Sequence, residues 1–323
     1  MKKIEKQYHG LPSTASPWPY LGAALWKVVR TVFFIAMTYI VFNPIIYMLS
    51  LAIRASEDIY DMSVVWVPKH FTLDSIKVVF NELNFGDAMF RSGYIAVICT
   101  FLTVFIGAFT AYGFSRFKFK GKKLLFGIVV LTILIPPQLV LMPNYVLFSS
   151  FDFFGLIKAI TGQPTNINLL DNIPMFIALS ALGQGIRSGL VIYIFRQYFN
   201  GIPLELEQAA QIDGCGYMST YFRIMLPNAM GPIRITVLFS LVWYWSDFYT
   251  VTNYMPTIRT VSRVLSNIKG ELQMFFPNLV NDRYFMITIE EAACFISLLP
   301  LLILFACMQR SFARSIETTG LVG

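Results

Sequence analysis

Among the charged side chains inside otherwise apolar runs of this sequence are Arg187 in Gly185-Ile186-Arg187-Ser188-Gly189 and Asp247 in Trp245-Ser246-Asp247-Phe248. A second set of ionisable residues, Glu205, Glu207 and Asp213, occupies a polar stretch between two such runs. A lone cation or a lone acid can bind or orient a polar molecule. Neither set pairs carboxylates, or puts a nucleophile beside a base, as acid–base or covalent chemistry requires. The histidines are His9 and His70, and Cys99, Cys215, Cys294 and Cys307 show no CxxC spacing, so no metal site is expected. No GxxxxGK[ST] occurs, so the chain is not expected to bind ATP through a Walker loop. No catalytic residue emerges; the chemistry on offer is recognition and passage.

The elements that must position these residues follow from composition. Of 323 residues, 25 are Lys or Arg and 18 are Asp or Glu, so charged residues make up 13%, against roughly 25% in soluble chains. Apolar residues reach 56%, with 30 Phe, more than a water-soluble fold of this length can hide. The composition excludes a disordered chain and a secreted disulfide scaffold, and predicts an all-α integral membrane protein. Six stretches approach the 20 or so residues that cross a hydrocarbon core: Thr31 to Ile53, Ser92 to Phe114, Leu124 to Phe148, Pro174 to Phe195, Met230 to Val251 and Ile289 to Met308. Residues 1–30 lack the apolar region of a cleavable signal.

Lys and Arg set the sidedness. One set of loops and ends, including Lys27, Arg30, Arg116, Lys118, Lys120, Lys122, Lys123, Arg196 and Arg223, holds fourteen basic residues; the opposite set holds nine and most of the acids. The net charge of +7 thus reports topology rather than nucleic-acid binding, and predicts both termini on the cytoplasmic side. The segment from Arg196 to Pro227 is too long for a turn and too polar for a span. It reads as helix, turn, helix: Asn200-Gly201-Ile202-Pro203 supplies a cap, Glu205 and Glu207 suit the positive helix end, Asp213-Gly214 breaks the helix, and a second stretch runs from Tyr217 to Leu226 and stops at Pro227.

Gln208-Ala209-Ala210, three residues, Gly214, nine residues, then Ile224-Met225-Leu226-Pro227 resembles the EAA loop of ABC importer permeases. Ala111-Tyr112-Gly113-Phe114-Ser115-Arg116-Phe117-Lys118-Phe119-Lys120-Gly121 is similar to a block of sugar-type permeases, as are Ile135-Pro136-Pro137-Gln138, Phe195 to Phe199 and Trp245 to Phe248. The resemblance covers about the last three-quarters of the chain and is to the six-span subunit of maltose-type transporters. It implies a type I ABC importer permease fold with a cytoplasmic coupling helix, in the bacterial plasma membrane. It implies as partners a second homologous permease in a heterodimer, two ABC ATPase subunits that hold ATP and Mg, and an extracytoplasmic solute-binding protein that delivers a sugar or oligosaccharide. The chain itself is expected to need no cofactor.

On that resemblance Glu205, Glu207, Gln208, Ala209, Ala210, Asp213 and Gly214 couple to the ATPase. Glu207 and Asp213 would hold the docked helix, and Ala209 and Ala210 would form the face that enters the ATPase cleft. Gln208 stands where the family pattern has glutamate, which removes the charge an ion pair there would use. Arg187, Pro136, Trp245 and Asp247 are candidates for the translocation path. Each has a plainer reading: Arg187 as a buried arginine satisfied by carbonyls, the aromatics around Trp245 as an interfacial belt, Pro136-Pro137 as a break facing protein or a cavity, and an Arg187–Asp247 pair strained by depth. The expected organisation is an N-terminal segment 1–30, a first span and loop 31–90, a transport core 91–310 with the coupling loop 200–227, and a tail 311–323. A non-sugar ABC importer is the nearest alternative. An ion-coupled secondary transporter would need more acids at membrane depth and would leave the polar loop without a role.

The basic-residue count makes sidedness testable. Cysteines placed at Lys120 and Ser315 should resist an impermeant thiol reagent in intact cells, while one at Asn81 should react; labelling at Lys120 from outside would reverse the topology.

Overall fold

The computed structural model describes residues 18–61, 63–152, 155–162 and 167–320. The first part of the expected N-terminal segment, with Lys2, Lys3 and Lys6, and the last three residues of the tail lie outside the described residues. The chain runs α1 (Trp18–Ala52), α2 (Ser56–Ile59), α3 (Asp74–Asn81), α4 (Phe85–Arg116), α5 (Lys122–Leu134), α6 (Pro137–Ser149), α7 (Leu156–Thr161), α8 (Ile173–Ala181) and α9 (Ser188–Gly201). It continues with α10 (Leu204–Ile212), α11 (Tyr217–Thr220), a π-turn (Tyr221–Met225), α12 (Leu226–Asn228), α13 (Met230–Trp245), α14 (Tyr249–Tyr254), α15 (Val261–Ser266), α16 (Ile268–Gln273) and α17 (Arg283–Gly320). Among the described residues the only extended pairing is two isolated antiparallel bridges, Arg54 with Phe71 and Phe151 with Ile167.

Three helices are long and apolar enough to cross a membrane unbroken: Leu25–Ala52 within α1, Phe85–Arg116 as α4, and Arg283–Gln309 within α17. The third expected stretch is a bent pair, α5 and α6 meeting at 104°, because Pro136 and Pro137 cannot continue the hydrogen-bond ladder. The fourth is two separate helices, α8 and α9, rather than one continuous span. The fifth ends at Trp245, and Asp247 lies in the turn before α14. The helix from Tyr217 does not stop at Pro227 but runs to Asn228, since the π-turn loosens the ladder just before the proline; it then meets α13 at 76°.

α4 organises the packing. Its inner face carries Ala88, Ser92, Ala96, Cys99, Thr103, Gly107, Ala108 and Ala111 at helical spacing, all buried, while Phe90, Val97 and Phe101 on the other side are exposed. Small residues let neighbouring helices approach closely without a hydrophobic drive between them. At Gly107 a Cβ would lie 2.7 Å from Val191 Cγ1 of α9, so only glycine fits. Three cores form along α4: a middle one joins Ile95, Ala96 and Cys99 to Phe176, Tyr244, Val251 and Met255, and two lie toward its ends. One, near Phe85, joins Val79 and Leu83 to Val261, Val264, Leu272 and the Ile289–Ala292–Ala293–Ile296 face of α17. The other, near Arg116, joins Val104, Ala108 and Tyr112 to Val191, Phe195, Phe199, Tyr221 and Met225.

The connection between α1 and α4, whose role the sequence leaves open, is a polar knot fastened to the start of α17. Arg54 is buried and donates to Ser50 Oγ at 2.8 Å, Val64 O at 3.1 Å and Val65 O at 3.0 Å. Asp58, also buried, accepts the His70 backbone N–H at 2.6 Å and meets His70 Nδ1 at 2.8 Å. Tyr60 donates to Asp282 Oδ2 at 2.8 Å, one residue before α17.

The Asp58 contact raises the His70 pKa above its ordinary value, through the shared hydrogen bond and the opposite charge. The backbone N–H of His70, followed by its ring, lowers that of Asp58. A raised histidine contributes stability fully present below its unfolded pKa, near 6.5, and lost as pH rises through its folded value. The lowered Asp58 contributes above the unfolded carboxylate range and loses that only as acid protonates it. The knot should therefore loosen as pH rises from the unfolded histidine value, about 6.5, through the higher folded value of His70. Exchange protection factors, corrected for intrinsic rates, should fall over that window at Ala55, whose amide bonds His70 O at 3.1 Å. His70→Gln should flatten the dependence; an unchanged profile in that variant would exclude the pair as its cause.

Candidate functional site

The coupling candidates lie in the turn around α10 and Arg187 in the gap between α8 and α9, while Pro136, Trp245 and Asp247 lie apart from both. α10 starts after Pro203, whose φ of −56° leads directly into the helix, and carries Glu205 and Glu207 in its first turn. Asn200 does not cap it: this residue lies in the last turn of α9 and accepts the Ser115 hydroxyl at 2.8 Å. At the other end Gly214 takes φ +82°, its N–H bonds Gln211 O at 3.0 Å, and Cys215 N–H bonds Ala210 O at 2.9 Å. These are the two bonds of a Schellman cap, which favours glycine because the left-handed conformation penalises a Cβ.

Glu207 and Ala210 turn inward, contrary to the expectation that they meet the ATPase. Glu207 is only 4% exposed and forms an ion pair with Arg116 Nε, while Arg116 also donates to Ile202 O at 2.7 Å. The physical reason is helical phase, since residues three apart share a face, and here that face meets the end of α4. Leu204, Glu205, Gln208, Ala209, Gln211, Ile212 and Asp213 are exposed, with Ile212 at 86%. The outward surface thus mixes apolar Leu204, Leu206, Ala209 and Ile212 with polar Gln208 and Gln211, and carries the carboxylates of Glu205 and Asp213 near its ends.

The second place is the break between α8 and α9. From Leu182 to Arg187 the backbone leaves the helix, with φ +76° at Gly183 and φ +54° at Arg187. Arg187 therefore sits at the start of α9 rather than inside a continuous helix, in a conformation that side-chain-bearing residues adopt only under restraint. The Tyr244 hydroxyl of α13 supplies that restraint. It accepts Ile186 N–H at 3.0 Å and shares hydrogen bonds of 2.8 Å with Thr103 Oγ1 and Ser180 Oγ, filling its capacity as donor and acceptor. A Cβ at Gly185 would overlap the Tyr244 and Thr103 oxygens, and one at Gly189 would overlap Thr132 Oγ1, so the glycines on both sides of Arg187 are close contacts.

The Arg187 guanidinium lies 5.0 Å from the Trp243 ring centre, a cation–π contact, and not on Asp247. Asp247 accepts Thr250 N–H at 3.2 Å in a narrow crevice with Ser92, Thr260 and Ser262. Trp245 points to α17, donating to Ser297 O at 3.1 Å, and so serves helix packing rather than an outer belt. Pro136 lies at the α5–α6 corner, where residues 131–140 are all exposed on the isolated chain; the break does not face the interior of this subunit. Sequence reasoning missed the Tyr244–Thr103–Ser180 node and the Arg116–Glu207 pair. The available signal was a threonine and a serine within apolar runs, aligned with Gly185.

Apolar membrane-length helices mark an integral membrane protein. Residues 103–318 match the family described as binding-protein-dependent transport system inner membrane component, and the chain belongs to that family. It is 27% identical over 308 residues to a probable ABC transporter permease protein, YurM, of Bacillus subtilis, covering 94% of this chain and 90% of that protein. It is 24% identical to the polygalacturonan/rhamnogalacturonan transport system permease protein YtcP of the same organism, covering 84% and 89%. It is 23% identical to the arabinooligosaccharides transport system permease protein AraQ, also of Bacillus subtilis, covering 93% and 97%. The fold is similar to a chain of a bacterial ABC transporter involved in import of the acidic polysaccharide alginate, with TM-score 0.70 and 18% identity, covering 94% of this chain and all of that one.

Removing the Tyr244 hydroxyl should strand Ile186 N–H and the two side-chain hydroxyls. Tyr244→Phe is expected to cost about 1–3 kcal/mol, read as a lower thermal midpoint of the detergent-purified chain. A wild-type midpoint would mean the break is held by something other than this hydroxyl.

Proposed function

We propose that this chain is one of two permease subunits of an ATP-driven importer for a sugar or oligosaccharide. A solute-binding protein delivers the cargo on the outer side, and ATP and Mg are held by two ATPase subunits on the inner side. The chain would cross the membrane six times, with α5–α6 and α8–α9 as broken spans and both termini in the cytoplasm. The polysaccharide- and oligosaccharide-transport names of the relatives favour a carbohydrate cargo. The exposed corner at residues 131–140 supports a second permease. Bent backbone at membrane depth needs protein or a water-filled cavity against it, and this chain leaves the corner open.

The observation that carries the reading is the outward face of α10. Leu204, Gln208, Ala209 and Ile212 present a short helix that a cleft on an ATPase can enclose, with the exposed carboxylates of Glu205 and Asp213 at its ends to meet basic groups. Gln208 contributes hydrogen bonds there in place of a glutamate's charge. Within the membrane, Arg187 at the α8–α9 break offers a guanidinium, and Trp243 an aromatic face. Donors and a ring are what a sugar's hydroxyls and C–H face engage.

The test is Gly214→Arg. A β-carbon at φ +82° strains the cap, and the long cation intrudes on the docking face. The variant should reach the membrane at wild-type level yet lose co-purification of the ATPase subunit and sugar-stimulated ATP hydrolysis. Gln208→Ala should lose less of both. Wild-type values for both readouts in Gly214→Arg would remove α10 as the coupling element.

A further inference from the structure

The end of α4 is tied to the α10 turn by side chains. α10 packs by its backbone on α11, and its link to α4 is made by Arg116, through the ion pair with Glu207 and the bond to Ile202 O. Both side chains are nearly enclosed, at 12% and 5% exposure. The surroundings are cationic: Arg196 donates to Phe114 O at 3.4 Å, and Lys122 donates to Ser115 O at 3.1 Å and Phe117 O at 3.0 Å. Glu207 is thus the acid that neutralises this corner among the described ion pairs. Thirteen residues up the same helix, about 20 Å at 1.5 Å per residue, Thr103 holds the Tyr244 hydroxyl that fixes the α8–α9 break.

We infer that the Arg116–Glu207 ion pair is a rigid joint that passes displacement of Leu204–Ile212 into α4, and along α4 to the break that carries Arg187. Both are positioning residues: they touch neither cargo nor nucleotide. An enclosed pair resists shear, because separating the partners leaves charges without compensation in a poorly hydrated place. A surface pair would slip instead. α4 can transmit the motion because it is one unbroken helix of 32 residues, whereas α8–α9 and α11–α13 beside it are interrupted. The inference rests on reading α10 as the ATPase-docking segment.

The experiment follows the break directly and needs no knowledge of the cargo. In a chain whose native cysteines are replaced by alanine, Leu182→Cys places a thiol at the break, where the native side chain is 76% exposed. The complex is purified from its host through a tag on this chain, with its ATPase. The rate of thiol labelling is then measured without nucleotide and after trapping with MgATP and vanadate. Wild type should show a nucleotide-dependent change in rate. Arg116→Gln should keep the ATPase bound but reduce that change about tenfold, and the reversed pair Arg116→Glu/Glu207→Arg should recover it. An undiminished response in Arg116→Gln overturns the joint. So does a reversed pair that assembles and hydrolyses ATP yet stays unresponsive, which keeps the test decisive where the single variant fails to assemble. A tagged complex without ATPase, or without any nucleotide response, instead overturns the docking reading and the joint with it.

Discussion

A peptide group left unpaired away from water costs several kcal/mol, and this chain breaks its apolar helices. The rest of the structure answers that constraint. At the α8–α9 gap one phenolic hydroxyl, that of Tyr244, receives Ile186 N–H and binds Thr103 and Ser180, so three elements meet on a single oxygen. Gly185 leaves room for that oxygen, and Gly183 supplies the left-handed turn. At the α5–α6 corner the solution is different, because the prolines remove donors and the remaining surface stays exposed on this chain.

The close packing that makes the node possible comes from α4. A face of alanine, serine, threonine and glycine gives little transfer energy but allows backbones to approach, and dispersion and short hydrogen bonds then hold the helices. The same face leads from the core around Leu83 and Ile289 to the core around Tyr112 and Phe199. The polar knot of Arg54, Asp58 and His70 fastens one end of this assembly, and Arg116 with Glu207 fastens the other. The ends are held by charge and hydrogen bonds, while the middle is held by fit.

This division explains which parts of the molecule the sequence reveals. The membrane class, the positions of the apolar stretches, the interruption at Pro136-Pro137 and the polar helix–turn–helix all follow from composition, length and proline chemistry, which act locally. The left-handed glycine at Gly214 was legible for the same reason, since Asp-Gly after a helix has few conformational options. The Arg187 break was only half visible. Its glycines signalled close packing, but an apolar run interrupted by one arginine reads equally well as a continuous span. Glu207 misled because its place beside the EAA-like residues implies an outward role, and helical phase relative to α4 does not appear in a local motif.

By itself the sequence determined that the chain must live in a membrane, where its helices would lie along the chain, and that one polar turn would stand out from them. Hydropathy and turn propensity decide these things within a few residues. Only the tertiary structure decided which side of α10 faces outward, that Arg187 rests on Trp243 rather than on Asp247, and that Trp245 packs on α17. These outcomes depend on the rotation of each helix about its own axis. That rotation is set by the fit between helices far apart in sequence: Gly107 against Val191, Gly185 beneath Tyr244, and Arg116 over Glu207.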